Sequence, residues 1–175
     1  MRPTVAVVGA SLSGLTAARA LREQSYDGHV VVIGDEVHAP YDRPPLSKAF
    51  LAGTASLDDI ALGTPDDEDL GLEWRLDTTA VGLDHLSRSV LLEDGSEVRA
   101  DGVVLATGAR ARRLPGSDGL DGVHVLRSLD DAISLRAELA DAERLVVIGA
   151  GFIGAEVAST ARTLGLDVTV VEGAA

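Results

Sequence analysis

The sequence predicts an α/β chain: a first βαβ unit with a parallel sheet, an antiparallel β-meander, and the start of a second βαβ unit. Three observations carry this. A short apolar run, Thr4 to Val8, leads through the small residues Gly9-Ala10-Ser11 into an Ala/Leu-rich stretch. The same pattern returns about 140 residues later, at Leu145 to Ala158. Between them lie short alternating segments, one with an Asp94-Gly95 turn. Apolar β-branched runs too short for helices read as buried parallel strands.

In the first unit, Gly9 can make the sharp turn out of the strand, and Gly14 can let the helix pack close. The helix N-terminus then offers free N–H groups and a positive dipole end to a pyrophosphate. Ser11 stands at the middle glycine position of the G-x-G-x-x-G pattern. Residues 14–25 are expected as a helix, with Leu15, Ala18 and Leu21 inward and Arg19, Arg22 and Glu23 outward. Val30 to Ile33 is expected as the second strand, ending at Gly34-Asp35-Glu36. An acid there can accept hydrogen bonds from an adenosine ribose; the residues alone do not choose between Asp35 and Glu36.

Pro40, Pro44 and Pro45 are expected to stiffen the next loop and keep it from being helical. Such a loop can hold Arg43 and Lys48 at fixed points. Residues 49–53 read as one helical turn. Thr64-Pro65-Asp66-Asp67-Glu68 is a strong helix start, its acids compensating the dipole. Leu72 to Leu76, Ala80 to Leu83 and the Val90–Val98 hairpin are expected to form the antiparallel meander. Asp101 to Gly108 returns to a buried strand with a small-residue end, where something must pack. The loop through Gly122 is the expected domain boundary. Ser128 caps a helix to about Asp141, with Ala132, Leu135 and Leu139 inward.

The second glycine turn carries all three glycines, Gly149, Gly151 and Gly154. Its second strand ends in Glu172, 23 positions beyond Gly149. An acid there favours a free 2′-hydroxyl and repels a 2′-phosphate, so NAD is expected rather than NADP.

The totals narrow the function classes. The 175 residues are 46% hydrophobic and 25% charged, with a net charge of −13. That balance fits a soluble cytoplasmic protein and argues against nucleic-acid binding, which needs a basic surface. No segment has the roughly 18 apolar residues of a membrane helix, and no signal peptide is visible. The absence of cysteine fits a reducing compartment and leaves no thiolate chemistry in this chain. His29, His38, His85 and His124 show no metal-ligand spacing.

Several of these stretches also resemble a known family. Pro40-Tyr41-Asp42-Arg43-Pro44-Pro45-Leu46-Ser47-Lys48, Val104-Leu105-Ala106-Thr107-Gly108 and Val125-Leu126-Arg127-Ser128 to Ala132, set between two glycine turns, resemble FAD-dependent NADH:ferredoxin reductases of the putidaredoxin and rubredoxin type. These share the fold of the pyridine nucleotide-disulfide oxidoreductases. The resemblance runs over essentially the whole chain and implies a Rossmann-like FAD-binding unit followed by the start of a Rossmann-like NAD-binding unit. It divides the chain into residues 1–112, a first segment of the FAD domain, and 113–175, an N-terminal part of the NAD domain.

The resemblance also implies roles. Gly9, Ser11, Leu12, Ser13 and Gly14 match the FAD pyrophosphate loop, and Asp35 and Glu36 the ribose end. Arg43, Pro44, Lys48 and Arg127 match flavin-side residues. Val81 matches a backbone contact to adenine, and Ala106, Thr107 and Gly108 the strand end near the cofactor. Gly149, Gly151, Gly154 and Glu172 match the NAD site, and Glu156 the partner of the flavin-side lysine. Lys48 and Glu156 are the implied catalytic pair. The implied reaction is hydride transfer from NADH to FAD and then single-electron transfer to a ferredoxin-type iron–sulfur protein or a rubredoxin. Two other readings are a nucleotide-binding fragment without turnover and an apoptosis-inducing-factor-like NADH oxidoreductase. Arg110, Arg112 and Arg113, the densest basic cluster, read either as a docking patch for an acidic partner or as a solvated loop.

Overall fold

A computed structural model describes residues 2–117 and 119–173. Its contacts divide the chain into two units, Met1–Tyr41 with Ala61–Ala109, and Asp42–Ile60 with Arg110–Ala175. The sequence reading divides the chain once, after residue 112. The contacts instead change over at Ala109–Arg110 and group 42–60 with the later residues.

The first unit is built on a four-stranded parallel sheet. Its strands are β1 (Thr4–Val8), β2 (His29–Ile33), β3 (Leu72–Arg75) and a later strand, Gly102–Leu105. Between β3 and that strand lie β4 (Ala80–Asp84), β5 (Ser89–Leu92) and β6 (Glu97–Arg99), which makes Gly102–Leu105 β7. The sheet order is β3-β2-β1-β7, and the antiparallel meander is β4-β5-β6. The helix α1 (Leu12–Glu23) connects β1 to β2.

Alternation explains why β1 and β2 are apolar throughout. Ala6, Val8, Val31 and Ile33 face the meander's Val90, Leu92 and Val98. Val7, Val30 and Val32 face Ala18 of α1. With both faces covered, each strand reads as a continuous hydrophobic run.

Three expectations are corrected here. Leu72 to Leu76 was expected in the meander, but β3 pairs in parallel with β2, Val30 opposite Leu72 and Val32 opposite Trp74. β7 is an edge strand with Leu105 69% exposed, not a fully buried strand. Arg19 and Arg22 are not solvated outward charges. Arg22 donates to the carbonyls of Leu70, Tyr26 and Gly28, joining α1 to the turn before β2 and the approach to β3.

Arg19 grips the segment Pro65–Leu70, a 3-10 turn rather than an α-helix. Its guanidinium donates to both Asp67 oxygens at 2.7 Å and to the Leu62 carbonyl at 2.9 Å. Asp67 also accepts from the Thr64 N–H and hydroxyl. The acid therefore serves as an anchor as well as compensating the dipole. Arg19 foremost, then these donors, hold the Asp67 carboxyl well below the ordinary carboxylate range.

A group with a depressed folded pKa adds stability above its unfolded value and loses it as pH falls through the folded one. Arg19→Met is therefore expected to cost about 2 kcal/mol at neutral pH. The gap to the unsubstituted chain should begin to close only below about pH 4, where unfolded aspartate protonates. Urea titrations at pH 7 and pH 3 check this.

The second unit holds α2 (Leu57–Ile60), α3 (Leu129–Leu139), β8 (Arg144–Ile148), α4 (Phe152–Thr163) and β9 (Asp167–Val171). β8 and β9 pair in parallel. Val147, Val157, Ala161 and Leu166 close its core with Leu135, Leu139 and Leu51. Val146, Ile148 and Val171 stand 60%, 63% and 49% exposed, so the strand pair is covered on one side.

The proline loop departs from expectation: Pro44–Ser47 forms a 3-10 turn. Proline is compatible with the first positions of such a turn, where its missing N–H has no partner to lose. Residues 48–53 form the expected short turn, the Ala52 N–H donating to the Lys48 carbonyl at 2.8 Å, and it ends at Gly53 in the left-handed region.

Candidate functional site

In the first unit the candidate residues gather at the carboxyl ends of parallel strands. Val8 lies opposite Ile33 of β2 and Leu105 of β7. The Gly9 turn, the Asp35-Glu36 pair and Ala106 to Gly108 therefore leave the sheet at one edge. β1 connects onward to β2 on one side, while β7 lies on its other side. That is a topological switch point, where open α/β sheets bind ligands.

The turn is sterically determined. Gly9 has φ +119°, and a Cβ there would come within 2.1 Å of the Ala106 carbonyl oxygen. Its N–H donates to the Ile33 carbonyl at 2.7 Å. A Cβ on Gly14 would lie 1.8 Å from the Gly9 carbonyl oxygen. What packs on the small-residue end of β7 is thus the Gly9 turn itself. Ser11 is the N-cap of α1 in extended conformation, without a side-chain capping bond. Leu12 and Ser13 open the helix on its exposed side.

Glu36 accepts a hydrogen bond from the Tyr41 hydroxyl, whereas Asp35 is the more exposed of the two acids. Val81 lies where the β4–β5 register jumps from Ala80 to Gly82, a bulge that takes it out of the paired ladder. Thr107 and Gly108 are exposed.

The second unit repeats the turn. Gly149 has φ +105°, and a Cβ on Gly154 would lie 2.0 Å from the Gly149 carbonyl oxygen. A Cβ on Gly151 would meet nothing within 4 Å. Among the described residues no contact requires glycine there. Glu172 reaches back to this turn: its carboxylate accepts from the Ala150 N–H and the Gly173 N–H, each at 2.7 Å. The turn and the acid are thus joined through the Ala150 N–H.

The same unit contains a polar cluster. Lys48 Nζ lies 2.8 Å from Glu156 Oε2 and donates to the Pro44 carbonyl at 3.1 Å. Ser47 donates its hydroxyl to the same Glu156 oxygen. Thr160, one helical turn beyond Glu156, donates to the Ser47 carbonyl at 2.8 Å. Lys48, then Ser47, holds the Glu156 carboxyl below its ordinary value. Arg43 donates to the Arg127 carbonyl at 2.7 Å, and the Arg127 N–H to Asp131. Arg110, Arg112 and Arg113 are exposed.

Ser47, Thr160 and Tyr41 were not nominated from sequence. Ser47 abuts Lys48, and Thr160 shares a helix face with Glu156 at i,i+4 spacing. That signal was present but needed the structure to join it. Among the described residues no group of three or more His, Cys, Asp or Glu could hold a metal ion. Nor is any helix long and apolar enough to cross a membrane.

Comparison with known proteins places these features. The ferredoxin–NAD(+) reductase component of the biphenyl dioxygenase system of Paraburkholderia xenovorans is 43% identical over 98% of this chain and 42% of its own length. Putidaredoxin reductase of Pseudomonas putida is 40% identical over 98% of this chain and 42% of its own. The crystal structure of the covalent putidaredoxin reductase–putidaredoxin complex superposes with a TM-score of 0.90 at 38% identity, covering 96% of this chain and 42% of the other. The chain spans about two-fifths of the length of these relatives. Because the family description "Pyridine nucleotide-disulphide oxidoreductase" matches residues 3–175, the chain belongs to that family.

Proposed function

We propose that this chain is the nucleotide-binding part of an FAD-dependent oxidoreductase. It would take electrons from NADH and pass them through FAD to a ferredoxin-type iron–sulfur protein of an oxygenase system, in the cytoplasm. The observation that carries the reading is the pair of glycine turns on parallel strand ends, the second with Glu172 returned to its backbone. The names of the relatives support it, since they are reductase components of dioxygenase and putidaredoxin systems.

In this reading the first unit supplies Gly9, Ser11, Leu12, Ser13 and Gly14 to the FAD pyrophosphate. Asp35 and Glu36 serve the ribose and the Val81 backbone the adenine, with Ala106, Thr107 and Gly108 beside the cofactor. Gly149, Gly151, Gly154 and Glu172 serve NAD, and Arg43, Pro44, Lys48 and Arg127 are the flavin-side residues of this reading. Bound FAD supplies hydride acceptance and single-electron release, which no side chain here provides. Lys48 offers the positive charge that an electron-rich reduced flavin calls for, and Glu156 keeps that ammonium oriented.

A visible spectrum after FAD addition and desalting tests the first unit. Retained flavin absorbance that bleaches with NADH supports the reading, and no retained flavin sinks it. Ferredoxin-dependent cytochrome c reduction then tests the acceptor. Flavin that bleaches without passing electrons to ferredoxin would assign this chain binding without turnover.

The acid at β9 gives a separate expectation. Glu172→Ala should weaken NADH binding by about tenfold or more, since hydrogen bonds to a charged acceptor are lost. It should also narrow the preference over NADPH. Fluorescence titration with both nucleotides measures this.

A further inference from the structure

We propose that Ser47 and Thr160 are positioning residues for the Lys48–Glu156 pair: Ser47 fixes the Glu156 carboxylate through its hydroxyl, and Thr160 fixes Ser47 through its backbone carbonyl. The proposal deepens the reading of Lys48 as a flavin-side cation and rests on it for its functional consequence.

The geometry converges on one oxygen. Glu156 Oε2 receives both the Ser47 hydroxyl and Lys48 Nζ. Glu156 and Thr160 lie one turn apart on α4, so they present to the same side of the helix. Both meet Ser47, one at its side chain and one at its carbonyl. Ser47 itself is only 5% exposed, although the charged pair it serves is open to water, Lys48 by half and Glu156 by a third. A lysine–carboxylate pair that open to solvent is weak and has many rotamers. A buried hydroxyl anchored at two points removes that freedom on the carboxylate side. Lys48 is held on its other side by the Pro44 carbonyl, within the same 3-10 turn. The charge is thus aimed by a short rigid segment whose prolines fix the backbone and whose serine fixes the counter-ion.

Several other charged groups in this unit have partners of their own. Arg43 donates to the Arg127 carbonyl, Arg162 pairs with Asp167, and Glu172 accepts from the Ala150 N–H. Lys48 is the ion-pair partner of Glu156 among the described residues. The lowered Glu156 pKa, caused first by Lys48 and second by Ser47, agrees with the geometry.

The test reads the carboxylate directly. The 175-residue chain, labelled with 13C at glutamate carboxyls, is titrated by NMR without cofactor. It is compared with Ser47→Ala, Thr160→Val and Thr160→Ser. Ser47→Ala should make Glu156 protonate at higher pH, by about fivefold in the equilibrium, the worth of one modest hydrogen bond. Thr160→Val should move it the same way by less, and Thr160→Ser, which keeps the hydroxyl, should restore it. An unmoved Glu156 titration in a folded Ser47→Ala chain overturns the proposal, as does a loss of stability with no change in the titration. Should Ser47→Ala not fold, the Thr160→Val and Thr160→Ser pair decides by the same criterion. In FAD-loaded protein, Ser47→Ala should lower the flavin midpoint potential. If the unsubstituted chain binds no FAD, the proposed function fails while the titration still decides the positioning role.

Discussion

Gly14→Ala is expected to destabilise the first unit by about 3 kcal/mol or more, although alanine is the better helix former. On propensity alone the change favours the folded state by about 1 kcal/mol. Sterics decide otherwise. The added Cβ would sit 1.8 Å from the Gly9 carbonyl oxygen, a backbone atom that cannot swing aside as a side-chain tip can. Gly9 is itself held by its N–H on Ile33 and by the Ala106 backbone against its Cα. Relief therefore requires α1 to lift from the sheet, opening its contact with Val7, Val30 and Val32 through Ala18. Overpacking of this kind costs 1–3 kcal/mol even where side chains alone must adjust.

Gly154→Ala should act likewise on the second unit, where the corresponding oxygen lies at 2.0 Å. Gly151→Ala is the informative contrast. Its Cβ meets nothing within 4 Å and its φ of −70° is open to alanine, so stability should change by less than about 1 kcal/mol. If Gly151 leaves room for a dinucleotide, that variant should lose NADH affinity while keeping its fold. Denaturant midpoints with NADH titration of the same three variants separate the two uses of glycine. Equal stability losses at Gly14 and Gly151 would contradict the assignment.

How much was legible follows from the range of each interaction. The two turns were readable because their determinants lie within six residues of one another: Gly9 with Gly14, Gly149 with Gly154. The Asp94-Gly95 turn and the Ser128 cap were equally local. β3 was assigned to the wrong sheet because Leu72 to Arg75 carries an alternation that suits either neighbour. Its partner, β2, is chosen by packing some forty residues away. Arg19 and Arg22 read as outward charges because helical periodicity cannot show that carbonyls and an acid 48 or so positions later will meet them. The Lys48–Glu156 pair was reached through family resemblance. Ser47 bonds the same carboxylate across 109 positions of sequence, so its place beside Lys48 could not by itself show which acid it meets. Glu172 was legible as an acid after a strand, but not its bonds to the Ala150 and Gly173 N–H groups.

The grouping of 42–60 with the later residues has a physical consequence at Leu51. This side chain is 1% exposed and packs with Leu135, Leu139, Val147, Val157, Ala161 and Leu166. It comes from the turn region that follows Lys48 and fills a core otherwise made by α3, β8, α4 and the residues beside β9. Leu51→Ala should cost about 3 kcal/mol, the loss of a buried leucine plus the cavity it leaves. The cost should be regional. Amide exchange should accelerate in α3 and α4, whose apolar faces lose their common contact, and stay slow in β1 and β2, whose core is the separate cluster around Ala6, Val7, Val30 and Val31. Faster exchange in β1 and β2 with α4 unchanged would return 42–60 to the first unit. The expected outcome carries through to chemistry. Ser47 lies four positions before Leu51, and its carbonyl is held by Thr160 of α4. Loosening Leu51 should therefore also raise the pH at which Glu156 protonates, because this buried side chain is one of the anchors of the segment that delivers the Ser47 hydroxyl and the Lys48 ammonium to that carboxylate.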